Sequence, residues 1–248
     1  MDGDSHTRTL STPKGLLFDY GGTLVDEVSV DLRAGNEWLL SRASYRPAHI
    51  TLDDVLARVG RVSRAVASLR DDTHVETPWP ALTRLIHDAL GIRFDTPMAE
   101  LELGFWKAAV RTEAMAGARA ALEQFQRAGL PMGVVSNTLF SEQVIRHELG
   151  KHGLTDHLAF VMVSSEYAVR KPNVLLYDVA AARLGVEPKD IWFVGDRLDT
   201  DVAGAKAAGM TAVWFKIGDR LETSPPPDLI VPDWSALLHH VLIAQPLS

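Results

Sequence analysis

From residue 113 onward, short continuous apolar runs alternate with stretches of helical spacing. "PMGVVSN", "LAFVMVSS", "IWFVGD" and "TAVWF" are apolar, rich in β-branched and aromatic residues, and bounded by polar residues or glycine. That texture predicts strands buried on both faces. Between them lie "GARAALEQFQRAG", "SEQVIRHELGKHG", "NVLLYDVAAARLG" and "DTDVAGAKAAG", each with apolar residues at helical spacing and a glycine at its end. Ser141 is placed as an N-cap. "SPPP", residues 224–227, reads as a loop, and "DLIVPD" as a last short strand. Near the N-terminus "GLLFDYGGTL", residues 15–24, is an apolar run that ends at Asp19 and a Gly-rich turn. This repetition predicts an α/β domain with a parallel sheet covered by helices on both faces.

Residues 26–112 have a different texture. "VDLRAGNEWLLSRA", "TLDDVLARVGRVSRAVASLR", "WPALTRLIHDALG" and "PMAELELGFWKAAV" all have helical spacing, and no segment there reads as a strand. Thr51 and Asp54 have the spacing of a capping arrangement, and Pro78 and Pro97 mark breaks. The domain plan is a tail at 1–13, an α/β core at 14–25 and 113–248, and a helical cap at 26–112. An insert that follows a strand's C-terminal end lies over the crevice where open α/β sheets bind ligands. Hinges are expected near 24–28 and 112–117, the second containing Gly117.

Composition narrows the class of partner. A net charge of −7 over 248 residues disfavours nucleic acid, whose phosphates call for a basic face. With no cysteine, disulfides, thiolate metal sites and cysteine nucleophiles are excluded. No apolar run approaches the ~20 residues of a membrane helix, so no membrane partner is expected. The opening "MDGDSHTRTLST" is polar and lacks a signal-like apolar core, which predicts a disordered tail and a cytoplasmic location.

The candidate chemistry stands at the predicted strand exits. Asp19 follows "LLF", Ser136 and Asn137 follow "GVV", Lys171 follows the "VMVSSEY" segment, and Asp196 follows "IWFV", with Asp199 and Asp201 close behind. A parallel sheet places all these exits on one edge, so they converge. Taken singly, each also reads as ordinary turn or cap chemistry. Together, Asp19 and Asp196 could hold a hard divalent cation through carboxylate oxygens, with a backbone carbonyl in the shell. Lys171, Ser136 and the N–H groups of the Gly-rich turn could bind phosphate oxygens. Asp19 could then attack phosphorus.

"FDYGGTL", "VVSN", "RKP" and "FVGDRLDTD" resemble, in this order, the four motifs of the haloacid-dehalogenase-like hydrolase superfamily. The resemblance spans roughly residues 14–243. It implies a three-layer, doubly wound Rossmann-like core, an inserted helical-bundle cap, Mg2+ as cofactor, and hydrolysis of a small phosphorylated metabolite as a phosphoric monoester hydrolase. Carried over by position, it implies Asp19 as nucleophile and metal ligand, and Gly21 as a carbonyl ligand to the metal. Thr23, Ser136 and Asn137 would lie at the substrate phosphoryl group. Lys171 would balance charge, Asp196 would bind metal, and Asp201 would order the ligands. The oligomeric state is not implied.

The chain departs from the pattern at Gly21, where phosphatases of the superfamily carry the aspartate that acts as general acid and base. Glycine supplies only its carbonyl. The change leaves several readings open. One is a phosphatase with altered proton transfer, with Asp26 or Glu27 approaching the phosphoryl group or serving only as exposed hinge acids. Another is a binding or regulatory protein with impaired turnover. A dehalogenase-like enzyme is disfavoured by Asp196, Asp199 and Asp201. A phosphonatase-like one needs a cap lysine, and there is none between Lys14 and Lys107. Arg58, Arg61 and Arg64 could recognise an anionic substrate or form a solvated face. Trp38, Trp79 and Trp106 could line a cap pocket or pack the helices together.

Overall fold

The computed structural model describes residues 10–216 and 225–242. The expected tail therefore lies outside the described residues up to residue 9, as do 217–224 and 243–248 of the core. Six parallel strands form the sheet: β1 (Gly15–Phe18), β4 (Met132–Ser136), β5 (Phe160–Val163), β6 (Ile191–Gly195), β7 (Thr211–Phe215) and β8 (Leu229–Val231), in the spatial order β5-β4-β1-β6-β7-β8. The chain leaves β1 on one side for β4 and β5, then crosses back to β6 on the other. The crevice opens at that reversal.

Alternation along each strand feeds two cores. Leu16, Phe18, Val134, Val194 and Val213 pack under α5 (Ala118–Arg127), α6 (Glu142–Lys151) and α10 (Trp234–Leu242). Leu17, Val135, Phe193 and Trp214 pack under α8 (Val174–Leu184) and α9 (Ala203–Ala207). The strands are buried on both faces because each face meets a helical layer, which is why they read as unbroken apolar runs. Ser141 sits at the N-cap of α6, but its hydroxyl makes no capping bond.

The insert folds as four helices: α1 (Leu32–Ser41), α2 (Leu52–Thr73), α3 (Trp79–His87) and α4 (Met98–Ala109). Thr51 and Asp54 close a reciprocal capping box at the start of α2. One expectation fails here. Residues 26–112 do contain strand: β2 (Val25–Val30) pairs antiparallel with β3 (Val110–Ala114), with an irregular register between Glu27 and Ser29. The pattern is invisible locally because β2 is exposed after its first residue and its partner lies some 80 residues away. The expected hinge segments fall on this ribbon and its ends.

Cap and core meet at a second seam. After α2, His74 and Val75 run beside Val169, with Arg170 N–H donating to the His74 carbonyl (2.9 Å) and Glu76 N–H to that of Ala168 (3.1 Å). Trp79 N–H donates to the Leu139 carbonyl (2.7 Å). Glu76 is buried; its carboxylate forms an ion pair with Arg170 and accepts from Ser164 Oγ at the start of the short helix α7 (Ser164–Tyr167) at 2.7 Å. No described helix is long and apolar enough to cross a membrane.

Candidate active site

The exits of β1, β4 and β6 and the loop after α7 converge on a cavity of about 780 Å³ beneath the cap. Asp19, Gly21, Ser136, Asn137, Lys171, Asp196 and Asp201 all line it. Thr23 does not: it is fully buried, its Oγ1 has no hydrogen-bond partner among the described residues, and its carbonyl accepts from Trp234 Nε1. The expected contact of Thr23 with a phosphoryl group is therefore absent from this arrangement, because the turn after Gly22 carries residue 23 into the core.

Local geometry explains the glycines. Gly22, not Gly21, adopts the left-handed conformation, with φ +70°, and a Cβ there would lie 2.9 Å from Asp196 Oδ2. Glycine at 22 thus lets the turn close against the acid of β6. Gly195 does the same for Asp201, whose carboxylate would be 2.4 Å from a Cβ at 195. Gly21 is under neither constraint: a Cβ there meets nothing within 4 Å.

Lys171 is the centre of the charge arrangement. Its buried ammonium donates to Asp19 Oδ1 at 2.6 Å and is paired with Asp201 Oδ1 at 2.7 Å. Burial works to lower the lysine's pKa, but Asp19 and Asp201 more than offset it and hold the ammonium charged. Burial raises the Asp19 carboxyl, with Lys171 opposing it, and pushes Asp201 up to about 6. Asn137 fixes the lysine's backbone. Its amide oxygen accepts from Lys171 N–H (2.8 Å) and its amide nitrogen donates to the Lys171 carbonyl (3.0 Å). The polar atoms of Asn137 thus position Lys171, a role its place beside Ser136 did not foretell.

Asp19, Asp196 and Asp201 each offer an oxygen within 4.8 Å of the others. Three buried carboxylates face one ammonium, so the cluster carries excess negative charge. That donor set, all hard oxygen, suits a small divalent cation. The fit extends to Gly22, where the missing Cβ leaves Asp196 its place.

Several wall residues were not singled out from the sequence: Arg70 and His74 from the end of α2, and Arg170 and Arg197 from the core. Arg58, Arg61 and Arg64, the run that drew notice, do not line this cavity, whereas Arg70, farther along the same helix, does. The only signal for Arg70 was its place just before the helix end. Arg170 directly precedes the lysine of "RKP" and could have been read from that position. Asp26 and Glu27 do line the cavity. Glu27 is exposed as a residue, but desolvation of its carboxyl at the cavity wall raises that group, with Asp26 and Glu148 adding to the effect. Lys107 borders a separate outer hollow beside Trp38, so no cap lysine reaches this cavity.

A parallel doubly wound sheet, a helical cap, and a buried aspartate paired with lysine at the first strand's exit define a hydrolase class built on a strand-exit carboxylate. The chain belongs to the haloacid dehalogenase-like hydrolases, whose family model matches residues 13–209. It is 37% identical over 113 residues to a glyceraldehyde 3-phosphate phosphatase of Methanopyrus kandleri, covering 46% of this chain and 48% of the relative. It is 33% identical over 171 residues to a phosphoserine phosphatase of Thermus thermophilus, covering 68% of this chain and 66% of the relative. The matches thus span about half to two thirds of these relatives' lengths. The fold superposes with a TM-score of 0.64 on a haloacid dehalogenase-like phosphatase from Thermococcus onnurineus, at 24% identity, covering 93% of this chain and 98% of that one.

Proposed function

We propose that this chain is a magnesium-dependent phosphatase that acts on a small phosphorylated metabolite through an aspartyl-phosphate on Asp19. The observation that carries the reading is the buried Asp19–Lys171–Asp201 arrangement at 2.6 and 2.7 Å, opening into a polar cavity. The names of the relatives, both phosphatases, point the same way.

Asp19, the Gly21 carbonyl and Asp196 would hold the cation, and Asp201 would order them. When bound, the cation supplies positive charge to the phosphoryl oxygens and to Asp19. Lys171, Ser136 and the N–H of Gly21, the one in this turn whose neighbours on either side are already engaged with Asp19 and the Val25 carbonyl, hold the phosphoryl group in line with Asp19. A carboxylate oxygen of Asp19 attacks phosphorus. The bond from phosphorus to the ester oxygen breaks, and that oxygen leaves with the electron pair and takes up a proton. Water then attacks phosphorus and loses a proton, and the Asp19 oxygen–phosphorus bond breaks to release inorganic phosphate. Gly21 cannot carry either proton. Glu27, lying in the cavity wall with its carboxyl raised by desolvation and by Asp26, is the group that serves the leaving oxygen and then the water.

The test is phosphate release from p-nitrophenyl phosphate with magnesium. The wild type turns over, and Asp19→Asn loses about a thousandfold or more. Equal activity in Asp19→Asn overturns the reading. A folded wild type with no turnover of any phosphate ester supports instead a pocket that binds without turnover.

A further inference from the structure

A second cavity of about 360 Å³ lies between cap and core, and its wall is mainly apolar. Leu39, Trp79, Leu82, Ile86 and Phe105 come from the cap helices and Phe140 from the core. Three of these rings form a cluster: Trp79 lies 5.5 Å from Phe105 and 6.3 Å from Phe140, and Phe105 lies 6.2 Å from Phe140. This annex adjoins the catalytic cavity and shares part of its wall. Glu27, Arg70, Asn137, Thr138 and Arg170 belong to both walls. On the phosphatase reading, the organic body of an ester seated at Asp19 would extend to that shared wall.

The chemistry of the annex selects the body. All its charged residues are among those at the shared mouth; beyond it the polar residues are neutral. Asn36 Nδ2 donates to the Leu32 carbonyl at 2.7 Å, and Thr83 is buried on α3. His87 Nδ1 lies 2.8 Å from the Thr83 carbonyl, so Nδ1 carries the proton and Nε2 is the acceptor. Burial holds the His87 pKa below its ordinary value, which keeps the ring uncharged. An ionised group pushed into this space would lose its hydration without a counter-charge. An aromatic or alicyclic ring would gain the contact of three aromatic side chains. A dry cavity of about 150 Å³ accepts one benzene-sized ring. The annex, at about 360 Å³, has room for a substituted ring or two fused ones.

We infer that the substrate of this chain is a phosphate monoester whose body is an uncharged, ring-bearing organic group, bound in the annex formed by Trp79, Phe105, Phe140, Leu39, Leu82 and Ile86. The inference rests on the phosphatase reading above. It excludes, as preferred substrates, esters whose body is a short carboxylate or a second phosphate. The competing arrangement is an anionic body held at the mouth by Arg70 and Arg170, and the test contains it.

The experiment compares 2-phenylethyl phosphate with ethyl phosphate and phosphoglycolate. The first two are alkyl esters, so the acidity of their leaving groups is nearly matched. With magnesium, kcat/KM is expected to be at least about tenfold higher for 2-phenylethyl phosphate than for ethyl phosphate. Leu82→Trp, which fills the annex, reduces that ratio by about fivefold or more. A binding measurement runs beside it: 2-phenylethylphosphonate, which cannot be hydrolysed, perturbs the fluorescence of Trp79 and Trp106, and Leu82→Trp weakens its binding. If ethyl phosphate or phosphoglycolate is hydrolysed as well as the ring ester, the annex inference is overturned and the phosphatase reading stands. If the phosphonate binds in the wild type and weakly in Leu82→Trp, yet no ester is hydrolysed, the annex stands and the phosphatase reading fails. No binding and no hydrolysis removes both.

Discussion

The two cavities under the cap are built from different parts of the chain and by different physics. The polar one is walled mainly by strand and loop ends of the core, and its arrangement depends on a few charges held within 2.6–2.7 Å of their partners. The apolar one is walled mainly by cap helices, and its shape depends on the packing of bulky side chains from all four of them. The first is set by backbone geometry at strand exits, where one glycine or one acid decides the arrangement. The second is set by summed side-chain volume, which many residue combinations could supply. On the proposed reading, chemistry and choice of substrate are separable in this molecule, and the seam between the helical insert and the core is where they meet.

The seam gives the sharpest way to break that separation. Glu76→Ala removes a buried carboxylate that holds Arg170 and Ser164, and breaking a buried ion pair from one side typically costs about 3 kcal/mol. We expect a matching loss of stability in urea unfolding, together with a raised KM because Arg170 directly precedes Lys171. A wild-type melting curve for Glu76→Ala would show that the two halves do not depend on this contact. Next in size is the cation. Magnesium at about one hundred times its dissociation constant stabilises by about 2.7 kcal/mol. The rise in melting temperature should vanish in Asp196→Ala, whereas Leu82→Trp should keep it. A magnesium effect that survives Asp196→Ala would place the cation elsewhere.

The third change sharpens the core side alone. Gly21→Asp adds a carboxylate two residues beyond Asp19. A Cβ at residue 21 meets nothing within 4 Å and the backbone there is not left-handed, so the change introduces no Cβ clash and no left-handed strain. We expect turnover of alkyl phosphates to rise about tenfold, within the usual reach of general acid–base help, and to rise less for p-nitrophenyl phosphate, whose leaving group needs less help. An unchanged rate would mean that Glu27 already supplies the full effect, which Glu27→Gln would then abolish.

The smallest effect lies at the ribbon that carries the cap. Thr112 on β3 donates to Glu148 on α6 at 2.5 Å, and Lys151 lies 3.2 Å from the same carboxylate. Burial works to raise Glu148, but the hydrogen bonds from Thr112 and Lys151 and the lysine's charge bring it below the ordinary value. A carboxyl lowered on folding contributes stability above its ordinary pKa, and the contribution is lost as pH falls through the lowered one. Glu148→Gln should therefore cost about 1 kcal/mol at pH 7 and converge on the wild type at acidic pH, measured by unfolding at both. A cost that is independent of pH would assign the effect to packing.

The residues Asp19, Ser136, Lys171 and Asp196 were legible because each follows an unbroken apolar run, and parallel strands bring their exits together whatever the intervening sequence. The four cap helices were legible from their spacing. The β2–β3 ribbon was not, because its stability comes from pairing between segments far apart and not from any local pattern. Thr23, expected at the phosphoryl group, lies buried just after the left-handed Gly22, because a residue four positions past Asp19 can turn either to the cavity or to the core and spacing does not say which. Asn137 was read as a contact for substrate; the tertiary fold turns its amide on Lys171.

The sequence by itself thus determined the layer architecture, the four helices inserted between β1 and β4 and the identity of the groups at the sheet's edge, since these follow from periodicity and connectivity. Only the tertiary structure decided that Glu76 reaches Arg170, that Arg70 and not Arg58 meets the cavity, and that Trp79, Phe105 and Phe140 enclose an apolar annex. Those features depend on how two surfaces distant in sequence pack together. Docking is set by side-chain volumes and distances across the seam, which one-dimensional spacing does not encode.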